Sequence, residues 1–187
     1  NDGTIYGATW STDVPTTSTD GGDADYQNVA DELIISWSGS DGGSGISTYE
    51  YALGTGSIED IVEWTSAVTG TVDTLTGLFL AEGSIYYASA RATDVAGNVS
   101  DIVTGDGIMI DLTAPTAGTV IDGTESDLSY TGSDSTLTAS WSEFDDNISG
   151  IVGYEISVND GDVYPWTGVG NVSSTTVTGL GLDHGSE

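Results

Sequence analysis

The chain has no cysteine, a single histidine, three prolines and one Lys or Arg in 187 residues. Each shortage excludes something. Without cysteine there is no disulfide framework, no thiolate nucleophile and no Cys-based metal centre, and the redox compartment cannot be inferred. With His184 as the only histidine, and no counterpart elsewhere, a Ser-His-Asp set would hang on one residue in a chain that carries no nucleophile-elbow motif. The simpler reading of His184 is a turn residue. One cation, Arg91, against 30 acidic residues leaves a net charge of −29. Phosphate backbones need cations opposite them, so nucleic acid is excluded as a partner. Anionic membrane surfaces are disfavoured for the same reason. No apolar run approaches membrane-spanning length, so no direct membrane insertion is expected of this sequence. Self-repulsion at this charge density destabilises a compact state unless salt or bound cations offset it. The composition therefore suits an exterior that is saline or contains calcium, or a surface kept soluble by its acids.

What is present is a sequence that repeats itself. Ser36-Trp37-Ser38 returns as Ser140-Trp141-Ser142, and Ser44-Gly45-Ile46-x-x-Tyr49-Glu50 as Ser149-Gly150-Ile151-x-x-Tyr154-Glu155. Trp64-Thr65 returns as Trp166-Thr167, Thr76-Gly77-Leu78 as Thr178-Gly179-Leu180, and Gly83-Ser84 as Gly185-Ser186. A repeat of roughly a hundred residues implies tandem domains, each large enough for a modest core. The first is read as 1–111 and the second as 112–187, a copy that stops before its last two strands and so reads as a fragment of a longer array. Asp111 to Thr116 forms the linker, where Pro115 fixes φ and suits a stiff joint. An insertion at 11–31, with the string Asp20 to Asp25, is private to the first copy.

Gly, Ser, Thr and Asp separate short runs that alternate or are β-branched, and no segment has convincing helical periodicity. Seven strands are expected in the first copy: Thr4–Ala8, Glu32–Ser38, Ser47–Leu53, Ile61–Thr65, Thr71–Leu75, Ile85–Thr93 and Gly107–Asp111. Five are expected in the second: Thr119–Asp122, Ser135–Ser142, Val152–Val158, Val163–Thr167 and Ser173–Thr178. Alternation sends Tyr86, Ala88, Ala90 and Ala92 to one face, apolar and therefore inward, and Tyr87, Ser89, Arg91 and Thr93 to the other. Trp37 and Trp141 lie in strong strand patterns and are expected in the cores. The repetition of Trp64 as Trp166 favours packing over a sugar platform, whereas Trp10 and Tyr26 flank the unrepeated insertion and are the better candidates for a binding surface. Asn98-Val99-Ser100, Asn147-Ile148-Ser149 and Asn171-Val172-Ser173 match the glycosylation sequon.

Trp37, Ile46-x-x-Tyr49 and Leu80-x-x-Gly83-x-x-Tyr86 resemble the fibronectin type III pattern. Arg91-Ala92-Thr93-Asp94-x-Ala96-Gly97-Asn98-x-Ser100 followed by Asp111-x-Thr113-Ala114-Pro115 resembles the tandem Ig-like repeats of large bacterial or archaeal surface proteins and adhesins. The resemblance implies an all-β fold of two tandem Ig-like or fibronectin type III-like β-sandwiches, with Trp37 in the core and Tyr86 forming a tyrosine corner. If the third strand lies beside the sixth as in that fold, Glu50 is the cross-strand partner of outward Arg91. The same fold places two loops at one end, which brings Asp41 near Asp94 and Asn98, and sets Asp145 and Asp146 at the end that receives the linker, near Asp111. These six are the candidate ligands for a structural calcium, which takes six to eight oxygens from such loops. The alternative is that they are solvated acids capping turns. The function implied is a non-enzymatic spacer or adhesive repeat of a large extracellular or cell-surface protein, whose partners are neighbouring repeats and a surface glycan or another protein. The alternatives are an accessory binding module of a secreted hydrolase, and a filament or sheath subunit completed by a neighbouring chain's strand.

Overall fold

Alternating polar and apolar side chains, interrupted every few residues by Gly, Asp and Ser, produce short strands and no helix among the residues described. These residues are 5–6, 25–56, 58–68 and 70–183 of a computed structural model. The chain divides into two units, Asn1–Leu112 and Thr113–Glu187.

The first unit contains β1 (Ile5–Tyr6), β2 (Tyr26–Gln27), β3 (Glu32–Ser36), β4 (Ser40–Asp41), β5 (Ile46–Gly54), β6 (Val62–Val68), β7 (Val72–Thr76), β8 (Ile85–Asp94), β9 (Val103–Thr104) and β10 (Ile108–Ile110). One sheet runs in the order β2-β10-β8-β5-β6, with β9 also on β8; facing it is the antiparallel pair β3-β7, and β1 pairs with β4. This is an Ig-like or fibronectin type III-like β-sandwich. Its core lies between the two sheets. Leu33, Ile35 and Leu75 from the pair meet Tyr49, Tyr51, Leu53, Ala88, Ala90, Ala92, Ile108 and Ile110 from the larger sheet. Ala88, Ala90 and Ala92, the inward side chains in the middle of β8, leave room for the rings opposite. Trp37 packs with its centroid 5.3 Å from that of Tyr51 and 6.3 Å from that of Tyr49. Tyr86 is buried, and its phenol oxygen accepts the Ala81 N–H at 2.8 Å, holding the loop before β8 against the strand.

Several details differ from the sequence expectation. The strand expected at Glu32–Ser38 stops at Ser36, and the chain re-enters a strand at Ser40 to pair with β1. Of Thr4–Ala8, only Ile5–Tyr6 lies within the described residues. The expected strand Gly107–Asp111 is found as β10; the short β9 before it is additional, and between them Gly107 takes φ +97°, where an added Cβ would lie 2.6 Å from Ile85 Cγ2. β2 was not foreseen. It runs parallel to β10, and buried Gln27 donates through Nε2 to the Glu32 carbonyl at 2.8 Å. Ser89, on the face that alternation turns outward, is fully buried. β9 lies beside it, and its hydroxyl bonds that of Thr104 at 2.8 Å, so the burial leaves the hydroxyl satisfied.

The second unit contains β11 (Thr119–Asp122), β12 (Thr136–Ser142), β13 (Tyr154–Val158), β14 (Tyr164–Gly170) and β15 (Ser174–Thr178). β12 is central in a sheet with β11 and β15, and β13 pairs with β14. Trp141 is buried as Trp37 is, with Tyr154 at 5.5 Å. The hairpin β13-β14 repeats β5-β6 down to its irregularities. Tyr154, Glu155, Ile156 and Val158 face Gly170, Gly168, Thr167 and Tyr164, with the same two register shifts that separate Tyr49, Glu50, Tyr51 and Leu53 on β5. Among the described residues the second unit has no counterpart of β8 or β10.

Candidate functional site

The first candidate is the end of the first sandwich formed by the β4–β5 and β8–β9 loops. Asp41 closes its own loop: Oδ2 accepts the Gly45 N–H at 2.7 Å and the Ser44 hydroxyl at 3.5 Å. Its Oδ1 is buried with no hydrogen-bond partner among the described residues. Across from it, Asp94 accepts the Asn98 side-chain amide on Oδ2 and the Asn98 backbone N–H on Oδ1, both at 2.7 Å. Those two bonds, the side-chain one foremost, hold the Asp94 carboxyl below the usual carboxylate range. The two loops are joined by Val95 N–H to the Gly45 carbonyl at 2.9 Å and Ala96 N–H to Ser44 Oγ at 3.3 Å. Asp94 and Asn98 therefore already act as a turn clamp.

The other three candidate ligands lie elsewhere. Asp111, in the first unit, is buried, and its backbone N–H donates to the Gln27 carbonyl at 2.9 Å. In the second unit Asp145 makes a backbone bridge with Thr116. Asp146 accepts three successive N–H groups, from Ile148, Ser149 and Gly150, at 2.9 to 3.0 Å on one oxygen, which keeps its carboxyl below the usual range. Among the described residues no group of three or more His, Cys, Asp or Glu is placed to hold a metal ion. The Asp20–Asp25 string, except Asp25, lies outside the described residues, as do His184 and Trp10. Tyr26 is described and exposed on β2.

The second candidate is the outer face of β5, β6 and β8. Opposite each other in the ladder, Glu50 and Arg91 form an ion pair, Nε to Oε2 at 2.8 Å. The Arg91 guanidinium carbon also stands 4.4 Å from the Trp64 ring centroid. Trp64 is thereby covered. Its repeat mate Trp166 is 61% exposed, so the expectation of equal packing for the two does not hold. Their local sequences agree, but among the described residues the strand that brings the covering arginine is found in only one unit. Of the sequons, Asn98 commits its Nδ2 to Asp94, and Asn171 commits its own to the Ile151 carbonyl at 3.0 Å.

No protein-family model matches the chain. It is similar to chitinase A1 of Niallia circulans, at 29% identity over 157 residues. That match covers 82% of this chain and 20% of the chitinase, so the chain spans about a fifth of that relative's length. Among solved structures it is similar to the FN1–FN3 domains of chicken CNTN1, with 19% identity, a TM-score of 0.34, and coverage of 81% of this chain and 52% of that one.

Proposed function

We propose that this chain is a non-catalytic accessory or spacer segment of a larger extracellular protein. The observation that carries the reading is where the repeated residues go. Of the repeated pairs, Trp37 and Leu78 are buried in one sandwich, and their mates Trp141 and Leu180 are buried in the next. The repetition thus maintains scaffold and converges on no reactive constellation among the described residues. Likeness to a chitinase over a fifth of that enzyme's length supports the accessory form of the reading, and the charge of −29 fits a saline or calcium-containing medium. Calcium enters as a proposed structural ion at the Asp41 and Asp94 loops, supported by Asp41 Oδ1, which is buried with no hydrogen-bond partner among the described residues.

Sedimentation with insoluble chitin, together with a hydrolysis assay on soluble chitin fragments, tests the reading. A spacer stays in the supernatant and releases no sugar. Retention on chitin without hydrolysis selects a carbohydrate-binding accessory module, with exposed Trp166 as the first residue to substitute. Hydrolysis overturns the proposal.

A further inference from the structure

Three asparagines stand in sequons, and all three are exposed, so exposure does not separate them. Their amides do. Asn98 donates through Nδ2 to Asp94 Oδ2 at 2.7 Å, and Asn171 donates through Nδ2 to the Ile151 carbonyl at 3.0 Å. Among the described residues the Asn147 side chain makes no hydrogen bond. The loop around it is held without it. Asp146 Oδ1 accepts the N–H groups of Ile148, Ser149 and Gly150, and the Ser149 hydroxyl bonds the same carboxylate. A group attached at Asn147 Nδ2 therefore displaces no bond of the fold.

The first unit shows that this position stays open when another loop packs beside it. Asp41 closes the β4–β5 loop on the Gly45 N–H as Asp146 closes its own loop on the Gly150 N–H, which makes Gly42 the counterpart of Asn147. There the β8–β9 loop is bonded to Ser44 and Gly45. Gly42 is nonetheless exposed, and an added Cβ would meet nothing within 4 Å. The openness of Asn147 thus belongs to the shape of the loop itself.

We propose that Asn147 is the N-glycosylation site of this chain, the one of its three sequons whose amide is free to take a glycan in the folded protein. The encounter with the enzyme rests on the extracellular reading above. The donor is an oligosaccharide on a lipid pyrophosphate, and the enzyme is an oligosaccharyltransferase. Asn147 Nδ2 attacks C1 of the first sugar. The C1–N bond forms, the C1–O bond to the pyrophosphate breaks, and the lipid pyrophosphate leaves. Nδ2 gives up one of its two hydrogens as a proton to a base on the enzyme. At Asn98 and Asn171 the amide must first leave its partner, and the bond to the Asp94 carboxylate is the stronger of the two.

The test uses the full 187-residue chain, a purified single-subunit oligosaccharyltransferase and a lipid-linked oligosaccharide in vitro, so it does not depend on where the protein resides. The enzyme is one that glycosylates free peptides spanning each of the three sequons at similar rates. Cleavage before aspartate releases 94–100, 146–159 and 162–182 as separate fragments, and mass spectrometry reads the glycan on each. In the folded chain Asn147 should be modified first, Asn171 severalfold more slowly and Asn98 about tenfold more slowly. Asn147→Gln should abolish the fast transfer without moving the melting temperature. No transfer to folded Asn147 overturns the proposal, and so does transfer at equal rates to all three. A lowered melting temperature for Asn147→Gln also overturns it, because the side chain would then be part of the fold. Each of these failures leaves the spacer reading standing, since the chitin assays judge that reading separately.

Discussion

Tyr51 donates its phenol hydrogen to Asp73 across the two sheets of the first sandwich, with oxygens 2.6 Å apart. Burial, with the hydrogen bond and charge of Asp73 adding to it, pushes the Tyr51 hydroxyl up to about 12. In the unfolded chain a tyrosine ionises near ~10. The folded value is the higher of the two, so the stability gained from this proton is complete below pH 10 and is lost as pH rises through 12. Tyr49, also pushed up by burial, acts in the same direction. Urea midpoints measured from pH 8 to pH 12 should fall in the upper part of that range, and Tyr51→Phe should flatten the fall. An unchanged slope in the variant would remove Tyr51 from the account.

Acid should find the opposite limb. Asp94 and Asp146 are held below the usual carboxylate range, Asp94 by Asn98 and Asp146 by the backbone N–H groups of Ile148, Gly150 and Ser149. Their stabilising effect is present above the unfolded value and disappears as pH falls through the lower folded value. Proton titration by NMR should place both inflections below those of exposed aspartates. Asp146→Ala should lower the melting temperature at neutral pH and leave it nearly unchanged at the acid extreme.

The two cores should answer unequally to the same kind of cut. Leu53 is fully buried, so Leu53→Ala should cost about 2–5 kcal/mol. Val158, its half-buried counterpart, has less apolar surface to lose, and Val158→Ala should cost about 1 kcal/mol or less. Urea unfolding of each variant checks this. Equal losses would mean that the second core is closed as tightly as the first.

Arg91→Ala removes an ion pair and a ring contact together and should cost about 1–2 kcal/mol. Arg91→Lys keeps the charge but loses the flat guanidinium over Trp64, and should fall between wild type and alanine. Molar salt should shrink the ionic part, because the pair is partly exposed to solvent.

Chelation tests the proposed calcium. EGTA should lower the melting temperature of the chain in calcium-containing buffer, and Asp41→Asn should abolish that sensitivity. No shift with EGTA would leave Asp41, Asp94 and Asn98 as turn-clamping residues only.

The long strands were legible because their signal is local. Alternation on Ile85–Thr93 and the twin Trp positions survive without knowledge of any neighbour. Glu50 opposite Arg91 followed from the resembled strand order. The two-residue strands β2, β4 and β9 are too short for a period, and β2 exists only because β10 lies beside it. Ser89 is buried for a related reason: β9, a distant segment, covers it. At the candidate site the acids announced turns but not which oxygen would be left without a bond, so Asp41 Oδ1 was invisible. The difference between Trp64 and Trp166 was equally hidden, since it depends on a strand that follows one and, among the described residues, not the other.

Arg91 lies within β8, opposite Glu50 of β5, and it is the chain's only Lys or Arg. A protease that cleaves after basic residues therefore has one bond to cut, and that bond is inside a sheet. In the native protein the cleavage rate counts how often β8 comes free, rather than how often a loop wanders. The molecule thus carries its own clock for the opening of its first sandwich, read as the appearance of two fragments and needing no label.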